Sequence, residues 1–241
     1  MFIKSLLTLL TAMILTVAGA TTGMAGPGDG SGAGNGYAYG YGNGNAAGNG
    51  DGTGNCVDVD LATEETLWLL FMREEEKLAR DVYLEMDALW SLLVFENIAA
   101  SEQRHMDAMK KLIDCYNLTD PVIDQPGVFS DPELQDFFIS LMAQGETSMM
   151  DGLNVGALIE ETDIFDLQLA ISETGNDHIN GAYESLMCGS RNHLRAFIRQ
   201  IEMNGGSYTP TVLKESEFWE IAYSDMEQDC GNSNGKAKGK K

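Results

Sequence analysis

FENIAASEQRHMDAMKKLI, residues 95–113, is the stretch on which the reading of the whole chain turns. Phe95, Ile98, Glu102, His105, Met109 and Leu112 recur at intervals of three and four, which puts all six on one face of a helix. Four of them are apolar, so the face belongs in a core. The other two, an acid and an imidazole three residues apart, are neighbours on it. Burying an unpaired carboxylate costs on the order of several kcal/mol even after relaxation. Either a cation sits beside Glu102 and His105, with its remaining ligands on other helices, or this face is not the core face.

Residues 57–226 show no convincing strand alternation and read as helices almost throughout. A first helix is expected from about Thr63 to Trp90 and a second from Phe95 to Tyr116. A short one should open at Ser130-Asp131-Pro132-Glu133 and stop before Gly145. A third long helix should run from Thr147 or Ser148 to Glu173 and a fourth from about Gly181 to Met203, followed by a shorter one beginning at Pro210. Between the second and third long helices, the connection with Pro121, Pro126 and Gly127 is long enough to cross from one end of a bundle to the other. The expected fold is all-α: four long helices, each about 30 Å, with one long crossover and an extra C-terminal helix. That is the topology of a ferritin-like four-helix bundle.

The other ligands can be sought on the remaining helices. The first carries Glu74, Glu75 and Glu76 in a row. One apolar line runs through Leu69, Met72, Glu76, Ala79, Tyr83 and Met86, another through Phe71, Glu75, Leu78, Val82 and Met86. Periodicity leaves Glu75 and Glu76 open, and at least two of the three acids are expected in solvent. The third long helix has Leu153, Gly156, Glu160, Ile164 and Leu167 as its inward line, with Asp163 able to reach the same side and Glu161 as the rival of Glu160. The fourth has Leu186, Ser190, His193, Phe197 and Ile201. A lone histidine on an apolar face is more often a hydrogen-bonded core residue than a ligand, so the weight lies in the set. One glutamate from the first helix, with Glu102, His105, Glu160, Asp163 and His193, makes four carboxylates and two imidazoles. This is the donor count of a carboxylate-bridged dinuclear site in a four-helix bundle. Oxygen-rich ligation with a few imidazoles suits iron or manganese better than copper or structural zinc. Buried salt bridges explain the set less well, because Lys77, Arg80 and Arg104 are displaced from these lines.

EKLARDVY, residues 76–83, is similar to the first-helix motif E-x-x-A-R-x-x-Y of the rubrerythrins, members of the ferritin-like superfamily. In that motif the glutamate is a metal ligand and the tyrosine lies beside the site. The resemblance therefore implies Glu76 rather than Glu75 as ligand, and Tyr83 as a donor of a hydrogen bond or an electron next to it. Glu102-Gln103-Arg104-His105 matches the second-helix Glu-x-x-His, and Glu160 with Asp163 is similar to the acid pair of the rubrerythrin third helix. More widely, MREEEKLARDVY, FENIAASEQRHMDAM, GALIEETDIFDL and GSRNHLRAF resemble an exported ferritin-like family catalogued as a domain of unknown function. The resemblance spans about residues 61–201 and departs at Ser190, where the superfamily's second Glu-x-x-His has its glutamate. Either Asp163 replaces that carboxylate or the second metal position is weak. No rubredoxin-like Cys-x-x-Cys pair is present. What the resemblance implies is two iron ions, or manganese, or one of each, and a ferroxidase- or peroxidase-like oxidoreductase acting with dioxygen or peroxide. The alternatives are a metal-binding module without turnover and a purely structural or interaction domain. No oligomeric state follows.

The formal net charge of −22 disfavours nucleic acid as a partner and suits attraction of cations. Residues 1–25 read as a secretory signal, with Lys4, an apolar run from Leu6 to Val17 and Ala18-Gly19-Ala20. The run is short for a membrane span, so an exported protein, secreted or periplasmic, without a stable membrane anchor is expected. Residues 26–56 form a Gly/Asn-rich linker with too little apolar surface to fold, 57–228 the helical domain, and 229–241 a basic disordered tail. An oxidising, exported setting favours disulfides among Cys56, Cys115, Cys188 and Cys230. Up-and-down topology places Cys115 and Cys188 at one end and brings Cys230 towards Cys56. The expected pairs are thus Cys115–Cys188 and Cys56–Cys230, the first needing staggered helices.

Overall fold

The computed structural model describes residues 60–228 and Cys230. The signal, the linker and nearly all of the tail expected above lie outside the described residues. Among the described residues there are six helices and no strand: α1 Thr63–Trp90, α2 Leu93–Cys115, α3 Pro132–Gly145, α4 Met149–Glu173, α5 Asp177–Met203 and α6 Glu215–Ala222.

Local chemistry sets the ends of these helices. At the start of α1 the Glu65 carboxylate accepts the Ala62 N–H at 2.9 Å, and the acids of the first turn suit the helix dipole. Asp131 caps α3 by accepting the N–H groups of Glu133 and Leu134, and the Ser148 hydroxyl accepts that of Asp151 on α4. Helix α5 starts four residues before the expected Gly181, because the Asn176 side chain accepts the His178 and Ile179 N–H groups at 3.0 and 3.3 Å. The last helix starts at Glu215 instead of Pro210. The N–H groups of Thr211, Val212 and Leu213 are all turned onto the Glu161 carboxylate instead.

Helix α1 packs on α2 and α4 on α5, while contacts between α1 and α4 and between α2 and α5 close the four long helices around one interior. Helix α3 lies against α1 and α4, and α6 against α5. The apolar core falls into two clusters. One is built around Trp68, Leu69, Met109, Leu167, Ile179 and Leu186, and the other around Val82, Phe95, Leu153, Leu194 and Phe197. Glu76, Glu102, Glu160 and His193 are buried at the level between them on the same four helices. A belt of ionisable groups thus separates two dry ends.

The crossover after α2 is bound to the outer face of α1. Lys77, fully buried, pairs with Asp81 at 2.6 Å, donates to the carbonyls of Gln125 and Val128 at 3.0 and 3.1 Å, and lies 4.2 Å over the Phe129 ring. Asp81 accepts the Gly127 N–H, and Glu74 accepts those of Ser130 and Asp131. Arg73 forks onto both oxygens of Asp120. This overturns the expectation that at least two of Glu74, Glu75 and Glu76 are solvated, since all three are buried. With α2, α4 and the crossover around it, α1 is covered on more than one face, and a single inward stripe no longer describes it.

The expected cysteine pairs are also corrected. Cys188 is bonded to Cys230, with Cα atoms 5.4 Å apart, and Cys115 is disulfide-bonded as well; Cys56 lies outside the described residues. Two features account for the difference. Cys115 is ten residues from His105 but Cys188 only five from His193, so with the two imidazole rings 5.5 Å apart the thiols are out of step. The offset is roughly 7 Å along the helices. In addition, the chain after α6 turns back along α5, where Glu227 meets Arg191 and Arg195 and its backbone bonds the Asn192 side chain. Cys230 is delivered to Cys188 by that path. Peptide mapping of the unreduced protein should recover a Cys188–Cys230 pair, and Cys230→Ser should lower unfolding stability by about 2–4 kcal/mol in denaturant titrations. A Cys115–Cys188 peptide would contradict this path.

Candidate metal centre

Glu102 lies at the middle of the ionisable belt, with one carboxylate oxygen for each imidazole. Its Oε2 is 2.7 Å from His105 Nδ1, and its Oε1 is 2.7 Å from His193 Nδ1. Glu76 on α1 approaches the first imidazole, with Oε2 3.1 Å from His105 Nδ1. Glu160 on α4 approaches the second, with Oε2 3.4 Å from His193 Nδ1. Two donor groups result, Glu76/Glu102/His105 and Glu102/Glu160/His193, each with donor atoms within 4.8 Å of one another. They share Glu102. The stacked rings stand 5.5 Å apart. Helical spacing explains the convergence: Glu102 and His105 are i and i+3 on α2, and each of the other three helices presents one member at the same level.

The donor set is compatible with metal binding. Glu76 Oε1, Glu102 Oε1, Asp163 Oδ1 and His193 Nδ1 are buried and have no hydrogen-bond partner among the described residues. His193 Nδ1 and Glu102 Oε1 are close, but the ring N–H is not aligned to donate to that oxygen. Buried polar atoms left without a partner in this way are compatible with ligands of a common ion. The nearby basic side chains are engaged elsewhere, Lys77 and Arg80 with Asp81 and Arg73 with Asp120. Glu76, Glu102, Glu160 and Asp163 together balance two divalent charges.

Burial and neighbouring charges shift the groups of the belt in opposite directions. Burial disfavours the Glu102 carboxylate, but His193 and His105 outweigh it and hold its pKa well below the ordinary carboxylate range. Burial also works against charge on the imidazoles; Glu102 and Glu76 overcome it to raise His105 well above its usual value, and Glu102 and Glu160 raise His193 to about 9. Burial lifts Glu76, with Asp163 adding to it, and lifts Glu160 as well.

The remaining candidates are placed as follows. Tyr83 is fully buried and donates to Glu160 Oε1 at 2.6 Å, with its ring against Phe95 and Phe197. Burial, then the Glu160 charge, raise its phenol well above the usual value, so it stays a donor. Asp163 accepts a hydrogen bond from Ser190 Oγ and belongs to neither three-residue group. Burial and the Glu160 charge raise it to about 8. Glu75, the alternative to Glu76, is buried and belongs to neither donor group; burial, then the Asp166 charge, raise its carboxyl well above the usual value. Glu161, the alternative to Glu160, binds the N–H groups of residues 211–213 and the Tyr208 hydroxyl. Asp166 was not anticipated, although its position three residues after Asp163 places it on the same side of α4.

Residues 65–225 match a family described as "Uncharacterized protein domain (DUF2202)". A protein of Methanocaldococcus jannaschii, described as uncharacterized protein MJ0754, is 48% identical over 169 residues, which cover 70% of this chain and 91% of that protein. The crystal structure of hypothetical protein MJ0754 from Methanococcus jannaschii is similar with a TM-score of 0.69 at 48% identity, covering 70% of this chain and 97% of the other. The match to the family spans the whole of the helical region that builds the belt, and on that ground this chain belongs to the DUF2202 family.

Proposed function

We propose that the protein is an exported, ferritin-like four-helix bundle that holds two iron or manganese ions and reacts with dioxygen or peroxide. The observation that supports it most is the shared position of Glu102, whose two oxygens each face an imidazole Nδ1 at 2.7 Å. In this reading Glu76 and His105 would hold one ion and Glu160 and His193 the other, with Glu102 common to both groups. When bound, such a pair supplies one-electron redox steps and coordination positions for both oxygens of a small oxidant. Tyr83 holds the Glu160 carboxylate from the aromatic side, and Ser190 holds Asp163, whose other oxygen is buried without a partner. The apolar clusters above and below keep water from the belt.

A metal-holding module without turnover is the second reading, favoured by the deep burial of the donors, whose side chains are only 2–12% exposed. Anaerobic titration of the purified, metal-free protein with ferrous iron, followed by admission of air, separates the two. We expect about two ions per chain and a new near-ultraviolet or visible band on oxidation. Two ions without any reaction with air or peroxide would leave the module. Fewer than one ion per chain would overturn both.

A further inference from the structure

We propose that Gly189 is the positioning residue for His105, and that the absence of a side chain there lets the Glu76 side of the centre be filled. This rests on the dinuclear reading above. Gly189 is buried in the interior of α5, four residues before His193. A Cβ built on it would stand 2.6 Å from His105 Nε2 and 2.7 Å from its Cε1, well inside van der Waals contact. Glycine is a poor residue for a helix interior, where alanine is the best. Its use at this position is accounted for by the ring that lies against it.

The ring has nowhere to retreat. On the side away from Gly189 its Nδ1 is held 2.7 Å from Glu102 and 3.1 Å from Glu76. Moving it away from an added methyl group drives it into these two carboxylates, and turning it about its own axis takes Nδ1 away from them. The other imidazole is insulated from the change. The same Cβ would be 3.8 Å from His193 Cε1, an ordinary contact, and His193 keeps Glu102 and Glu160 as neighbours on its far side. Gly189 therefore acts on one half of the centre. Tyr83, which holds Glu160, lies on the other half.

The test is anaerobic titration of the full-length, metal-free protein with Co(II), read by bound metal and by the visible spectrum, for wild type, Gly189→Ala, His105→Ala and the double variant. Wild type should bind two Co(II). Gly189→Ala should bind one as wild type does, with the second weakened about 10–100-fold, the range seen when a residue orienting a ligand is lost. Its spectrum should match that of His105→Ala, and the double variant should be no worse than either single one. Two ions at wild-type affinity in Gly189→Ala, loss of both ions, or additive losses in the double variant would each overturn the role. If Gly189→Ala fails to fold, the double variant decides. Recovery of the fold with one Co(II) supports the clash with His105, and continued failure overturns it. Absence of Co(II) binding by wild type would instead sink the dinuclear reading itself.

Discussion

Glu102→Gln should reduce metal binding from two ions per chain to none, the largest loss expected of any single substitution in the belt. Gln keeps the shape of the side chain and one oxygen, but it removes the charge and one of the two donor atoms that face His105 and His193 at 2.7 Å. Because both three-residue groups contain Glu102, each is left with one carboxylate and one imidazole. Loss of a residue that merely orients a ligand costs about 10–100-fold in metal affinity. Loss of a shared ligand should cost each ion at least about 100-fold by the same measure. His193→Ala, which touches one group alone, should release one ion and spare the other. Equilibrium dialysis with elemental analysis reads both variants. Retention of even one ion at wild-type affinity in Glu102→Gln would show that the groups are independent.

Glu161→Ala should destabilise the fold by about 3–5 kcal/mol without changing metal stoichiometry. The carboxylate is completely buried and accepts from Thr211, Val212 and Leu213 N–H and from the Tyr208 hydroxyl, at 2.7–3.2 Å. Three backbone donors would be left without a partner, at about 1–3 kcal/mol for each that water fails to reach. The segment they anchor leads into α6, whose Phe218 is buried against Tyr208, so the cost is felt in the packing on α5. Urea unfolding measures it. A loss under about 1 kcal/mol would mean that the segment is held by its apolar contacts instead.

Glu161 and its neighbour Glu160 show where one-dimensional reading stops. The helical period put Glu102 and His105 on the core face of α2, and the all-helical class followed from the absence of strand alternation; both agree with the structure. The starts of α3 and α4 were legible to within a residue, although the cap of α3 is Asp131 and not the Ser130 of the expected Ser130–Glu133 box, and Ser148 was one of two candidates for α4. Helix α2 has one buried face, and one face leaves one period to find. Helices α1 and α4 are covered on several sides, so consecutive acids at 74–76 and at 160–161 are all buried, and periodicity has nothing to choose between.

For those acids the choice rests on what each meets in space. Glu74 meets the backbone at Ser130, Glu75 meets Asp166, Glu76 meets His105, Glu160 meets Tyr83 and His193, and Glu161 meets the strap before α6. The partners lie between 29 and 91 residues away along the chain. The Cys188–Cys230 bond belongs with them, because it depends on the chain turning back along α5 after α6. Residue order therefore contains the helices and the acid–imidazole pair on α2, which arise from interactions within one or two turns. The assignment of the other buried acids and of the cysteines came from long-range packing, because a buried charge is satisfied by whichever donor the fold brings within about 3 Å of it.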